Sequence, residues 1–160
     1  MKKDRFLIGI LVGIGVLVVV AVGLFFLRQG QVDYVPDDTP QGVVQDFTLA
    51  IYKQDYPRAY SYLADGESKP DLAHFQQTFI SNQKTELDRV GLKIGEVSMT
   101  GDNAGVPITI IHASGDPFSG SYRDIQTAML KKQATGWKIT NMPYPFWDYS
   151  WYQPQPPVKQ

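Results

Sequence analysis

His112 is the residue whose type and spacing come closest to chemistry in this chain. Val106, Ile108 and Ile110 precede it at alternate positions, so one strand would aim all four side chains at the same face. An imidazole titrates near neutral pH and serves as acid or base, but it needs a positioned partner. The plainer reading, a strand-end histidine near the surface before Gly115, outweighs the catalytic one. His74 stands beside Phe75 and reads as a partly exposed helix residue. Two histidines, no cysteine and no paired carboxylate spacing argue against a zinc site. Asp65-Gly66-Glu67 lacks the repeating oxygen ligands of a calcium loop. The chain has no nucleophile-elbow, Walker or dinucleotide-binding glycine pattern, and it implies no cofactor. The lack of cysteine also removes disulfides, thiolate catalysis, iron–sulfur clusters and a lipidated-cysteine anchor.

A second group could bind rather than react. Residues 144–152 read YPFWDYSWY, and Tyr144, Phe146, Trp147, Tyr149, Trp151 and Tyr152 are candidate partner-binding residues. Pro154, Pro156 and Pro157 follow and favour extended geometry. Three readings compete: the tail folds back onto its own domain, docks a partner, or rests at a membrane interface. Self-packing ranks first, because so much aromatic surface is costly to leave in water.

Charge and hydropathy restrict the partners. From Gln29 onward there are 11 Lys+Arg against 15 Asp+Glu, a net charge of about −4. Nucleic acid demands a basic excess, so it is not an expected partner. Phe6 to Leu27 is a 22-residue run without a charged or strongly polar side chain. As a helix it spans roughly 33 Å, enough for a bilayer's hydrocarbon core. Lys2, Lys3 and Arg5 precede the run, whereas Asp33, Asp37 and Asp38 follow it after Arg28. The charge bias predicts a cytoplasmic N-terminus and an extracytoplasmic domain. The run exceeds a signal-peptide core, so it reads as an uncleaved, single-pass anchor. Gly9 and Gly13 form a GxxxG that would let two membrane helices approach.

The elements that position these groups follow from periodicity. Residues 1–28 form a cytoplasmic stub and anchor, 29–38 a linker, 39–145 a domain, and 146–160 an aromatic and proline-rich tail. Thr39-Pro40 predicts a capped helix running to about Gln54, with Val43, Val44, Phe47, Ala50 and Ile51 inward. Asp55 caps a second helix, whose Tyr56, Ala59, Tyr60 and Leu63 share a face. Ser68 is expected to start a third, with Leu72, Phe75, Phe79 and Ile80 as its stripe, and a last turn takes in Leu87 and Val90. From Gly91 the period becomes two. A one-residue slip at Gly95-Glu96 predicts a β-bulge, and Pro107, which lacks a ladder donor, favours an edge or bulge. Turns at 101–103, 115–117 and 135–136 complete a four-stranded meander, giving an α+β class.

Two stretches carry a family resemblance. One is Val43-Val44-Gln45-Asp46-Phe47 with Lys53-Gln54-Asp55-Tyr56-Pro57-Arg58-Ala59-Tyr60-Ser61-Tyr62-Leu63. The other is Ala104-Gly105-Val106-Pro107-Ile108 with Met129-Leu130-Lys131-Lys132 and Gly136-Trp137-Lys138-Ile139. Across residues 40–145 the chain resembles the NTF2-like (cystatin-like cone) superfamily, and in particular its small exported or membrane-anchored bacterial members. The resemblance implies helices packed on a curved four-stranded antiparallel sheet, often around an apolar pocket. Enzymes, ligand binders and interaction modules share that fold, so it does not fix function. A member resembling ketosteroid isomerase would use His112, Asp46 or Asp124 with tyrosine donors.

The first expectation is a membrane-tethered, non-enzymatic binding or assembly module outside the cytoplasm. It would be an accessory subunit of a membrane complex, touching the bilayer through 6–27 and another membrane or exported protein elsewhere. The alternative is a small-molecule-binding or enzymatic pocket with isomerase- or dehydratase-type acid–base chemistry. A deep pocket holding His112 and a buried carboxylate favours the second; a pocket filled by its own aromatics sinks it.

Overall fold

The structure, a computed structural model, describes residues 5–28, 33–112 and 120–153, with the side chains at 5–7, 25–28 and 82 outside the description. Two compact units are present, Met1–Asp33 and Tyr34–Gln160. The turn expected at 115–117, the residues 1–4 and 29–32, and the prolines at 154–157 lie outside the described residues.

The first unit contains one helix, α1 (Arg5–Arg28). Its large apolar side chains between Ile8 and Leu24 are 47% to 71% exposed in the chain by itself. Among the described residues no helix is long and apolar enough to cross a membrane. The single-pass crossing expected at residues 6–27 is therefore not supported.

The second unit is α+β. Helix α2 (Pro40–Tyr52) starts as its sequence dictates. Thr39 adopts an extended backbone, its Oγ1 accepts from Gly42 N at 3.1 Å, and Pro40 occupies the first turn. Val43, Val44, Phe47, Ala50 and Ile51 are all buried. Burial of Val43, Val44, Phe47 and Ile51 contributes about 1.5–3 kcal/mol each relative to exposure, and Ala50 less, which is what holds a short helix in place. Helix α3 (Tyr56–Ser61) is capped by Asp55, whose Oδ1 accepts from Arg58 N.

The third helix differs from expectation. α4 (Leu72–Gln77) is capped by Asp71 rather than Ser68, with Asp71 Oδ1 accepting from His74 N at 2.7 Å. Pro70 explains the shift, because it disfavours helical geometry at the residue before it. A π-helical turn (Thr78–Asn82) follows, then α5 (Lys84–Leu87). Phe75 and Phe79 are buried, but Ile80 is exposed, and Val90 opens a strand instead of closing a helix.

The sheet has five strand segments in four lanes: β1 (Val90–Ile94), β2 (Ser98–Thr100), β3 (Asn103–His112), β4 (Tyr122–Gln133) and β5 (Gly136–Asn141). All pairings are antiparallel, and β1 and β2 both line the same edge of β3. Ile94 faces Ile108, while Ser98 faces Gly105. Four steps on one strand thus match three on the other, which is the expected bulge at Gly95-Glu96. Pro107 sits opposite it, so its missing N–H costs no ladder bond although β3 is paired on both sides. Gly95 N donates to Pro107 O at 2.7 Å, and a Cβ on Gly95 would lie 3.2 Å from Pro107 Cβ. Gly101, at φ +59°, makes the tight turn between β2 and β3.

Ala104, Val106, Ile108 and Ile110 are buried along one face of β3, opposite Leu130 and Ala128 on β4. Helix α2 lies against β3 and β5 on that side. The result is helices packed on a curled four-lane sheet, with residues 62–64 bridged to Ile139 along the outer edge of β5.

Candidate functional site

Asp46 is the buried carboxylate of this fold. It falls between Val43 and Phe47 on the inward face of α2 and is fully buried. Its Oδ1 accepts from Val35 N at 2.9 Å and its Oδ2 from the Tyr62 hydroxyl at 3.3 Å. The Arg58 guanidinium lies 3.8 Å from Oδ2 and also donates to the Tyr62 oxygen. Arg58 stacks over the Tyr34 ring at 3.4 Å, and Tyr34 donates to Asp55 Oδ2 at 3.4 Å. Burial pushes the phenols of Tyr62 and Tyr34 up, so both stay neutral donors at neutral pH. This cluster clamps Tyr34 to Pro36 against α2 and α3. A carboxylate so enclosed cannot touch a substrate, and its chemistry here is structural.

His112 stands elsewhere. It closes the inward row of β3, half-buried, directly across from Tyr122, whose ring stacks on it at 4.2 Å and 2°. Asp124 faces Ile110 two positions along and accepts from Gln126. The structure therefore gathers His112, Tyr122 and Asp124 at one end of the sheet and leaves Asp46 with Arg58 and Tyr62. His112 lines neither cavity described here. The larger, an open groove of about 570 Å³, is lined by Glu67, Lys69, Asp71, His74 and Trp151 among others. The smaller, about 40 Å³, lies beside Tyr56 and Phe79. Among the described residues no group of three His, Asp or Glu could hold a metal ion.

The aromatic tail is divided in its placement. Phe146, Trp147 and Trp151 are 0%, 3% and 3% exposed, inside the core, whereas Tyr144 and Tyr149 are exposed and Tyr152 is half-buried. Trp151 packs on Phe75 at 5.1 Å and Phe79 at 5.9 Å, and meets Trp147 edge-on at 4.9 Å. Gln83 Nε2 donates to Trp147 O at 2.9 Å. Tyr152 donates to Ala64 O, and its backbone N donates to Ser68 O at 3.1 Å. Burial raises the Tyr152 phenol strongly. Gln83 Oε1 and Trp151 Nε1 are buried without a partner among the described atoms. Sequence placed Tyr62 with Tyr52, Tyr56 and Tyr60 in a core whose hydroxyls reach its rim, but it did not pair Tyr62 with Asp46, and it missed Gln83. Tyr62 follows α3 out of phase with its stripe, and Gln83 lies beyond the π turn that resets the helical phase.

On α1, a Cβ added at Gly9 or Gly13 would meet nothing within 4 Å.

No family model matches the chain, and no curated protein does. Among solved structures it is similar to a SEC-C motif-containing protein from Rhodopseudomonas palustris, at 12% identity and TM-score 0.47. That match covers 66% of this chain and 77% of the other. A likeness of that size carries neither fold nor function. The NTF2-like resemblance is overturned by these comparisons. Its residues, such as Val43, Phe47, Val106 and Trp137, are core and turn positions that any helix-then-meander domain would supply.

Proposed function

We propose that the protein is a membrane-tethered, non-enzymatic binding or assembly module held outside the cytoplasm, an accessory subunit of a membrane protein complex. One observation carries the reading: the uncharged run 6–27 is helical within α1, and its described apolar side chains are uncovered around the whole helix. A helix apolar on every side needs an apolar surround rather than one neighbouring face. The excess of Lys and Arg before the run, and of Asp after it, supports the outward orientation. The interior filled by Phe75, Phe79, Trp147 and Trp151 supports binding at a surface over catalysis in a cavity. The test is native-detergent purification of the full chain from membranes, with mass spectrometry of co-eluting proteins. The expected outcome is retention in alkali-washed membranes, a protease-accessible domain on the outer side, and a stoichiometric membrane partner. Release into the alkaline wash would end the tether reading, and purification without any partner would end the accessory-subunit reading.

A further inference from the structure

The outward face of the sheet carries a charge pattern that neither the net charge nor the core explains. Directly opposed residues in an antiparallel ladder share a face, so the register assigns every strand position to a side. Ile108, Ile110 and their partners face the helices. On the other side β4 presents Arg123, Ile125, Thr127, Met129 and Lys131, all exposed, with Ile125 at 74% and Met129 at 44%. Two strands over, Lys93 lies in the same row as Thr109 and Ile125 and is also exposed. Lys138 is opposite Lys131 and donates to Ser61 O at 2.7 Å. The one carboxylate on any strand, Asp124, faces Ile110 on the helix side. A unit that is acidic as a whole therefore turns a mostly basic face outward, with Glu96 in the bulge opposite Pro107 as an acidic member and exposed apolar side chains between the charges.

We propose that this outward sheet face docks on the anionic headgroups of the bilayer that tethers the protein, Ile125 and Met129 entering the interface between Arg123, Lys131 and Lys93. The proposal rests on the tether reading above. Charge complementarity selects the occupant: basic side chains gain at whatever anionic lipid the leaflet on the domain's side carries, and the tether keeps the local concentration high enough for a weak attraction to act. Each basic residue near such a surface strengthens attachment about fivefold, and salt screens it.

The chain lacks cysteine, which makes the test direct. Full-length Thr127→Cys, carrying an environment-sensitive fluorophore on the outward face, is placed in nanodiscs of zwitterionic lipid or of zwitterionic plus anionic lipid. Ala73→Cys, exposed on the helical side, serves as control. The expected result is a blue shift at 127 in anionic discs alone, reversed by high salt and absent at 73. The triple variant K93E/R123E/K131E should lower the docked-to-undocked ratio more than tenfold with unchanged melting, because all three positions are exposed. Equal emission at 127 in both lipids would overturn the proposal while leaving the tether intact. Shielding that ignores lipid charge and appears only with two copies per disc would also overturn it, identifying the face as a contact between copies. Failure of the chain to enter discs would take down the tether reading and this one together.

Discussion

Two stretches rich in large apolar side chains meet opposite fates. In α1 the side chains from Ile8 to Leu24 stay 47% to 71% exposed, while in the tail Phe146, Trp147 and Trp151 fall to 3% or less. Composition and shape both separate them. The tail is irregular, punctuated by prolines, and its large flat rings fill one gap beside Phe75 and Phe79. α1 is a regular rod with small aliphatic side chains on every side. A rod of that kind can bury only a stripe against any single protein neighbour. The lesson is that a fitted cavity covers apolar surface in one case, while in the other the apolar side chains stay exposed around a regular rod.

The largest expected effect tests the fitted side of that contrast. Trp151→Ala removes a ring packed on Phe75, Phe79 and Trp147 and should cost about 3–5 kcal/mol in denaturant unfolding of the detergent-solubilised chain. A loss below 1 kcal/mol would mean that the tail is only laid on the surface. Next comes Val16→Asp in α1. Under the proposed tether, a carboxylate at the helix centre costs about 2.5–3.5 kcal/mol of insertion, so membrane retention should fall sharply while unfolding of the domain is unchanged. A matching drop in domain stability would show α1 packed on the domain and break the comparison.

Smaller effects concern the polar clasps that hold the ends of the second unit. Asp46→Ala strands Val35 N, the Tyr62 hydroxyl and Arg58, and should cost about 1–3 kcal/mol. It should also expose the chain near Tyr34 to protease, which limited proteolysis with mass spectrometry would read. Unchanged cleavage there would show that Tyr34 to Pro36 are held by stacking on Arg58 alone. Tyr152→Phe gives the smallest change, about 0.5–1.5 kcal/mol from the bond to Ala64 O. Its pH dependence has a definite sign. Burial raises the Tyr152 pKa in the folded chain, so its contribution is complete below the unfolded tyrosine pKa of about 10 and is lost as pH rises beyond it. Wild-type stability should therefore decline above about pH 10, and Tyr152→Phe should flatten that decline. An identical slope in the variant would assign the alkaline loss to other tyrosines.

Much of the framework was legible because it is local. Thr39 and Asp55 cap helices through bonds that reach three residues, and β3 alternates with period two. The bulge was readable from a phase slip at Gly95-Glu96, and the exemption of Pro107 from the ladder goes with it. The third helix was misread because two candidate caps, Ser68 and Asp71, stand three residues apart with Pro70 between them. Periodicity also failed at Ile80, where the π turn changes the phase that the stripe assumed. The family resemblance failed for a related reason, since its residues report helix faces and turns common to many domains.

Sequence alone determined where the helices capped by Thr39 and Asp55 begin, which face of β3 goes inward, and that residues 6–27 carry no charged side chain. The helix starts and the strand face are consequences of dihedral preference, capping and period, which act within a few residues. Only the tertiary structure decided that Asp46 would be sealed by Val35 and Tyr62, that His112 would meet Tyr122 rather than a carboxylate, and that Trp151 would enter the core while Tyr149 stayed outside. Each of those outcomes depends on which distant side chain fills the space beside it. Packing of that kind is set by shape and volume across the fold, and no local pattern encodes it.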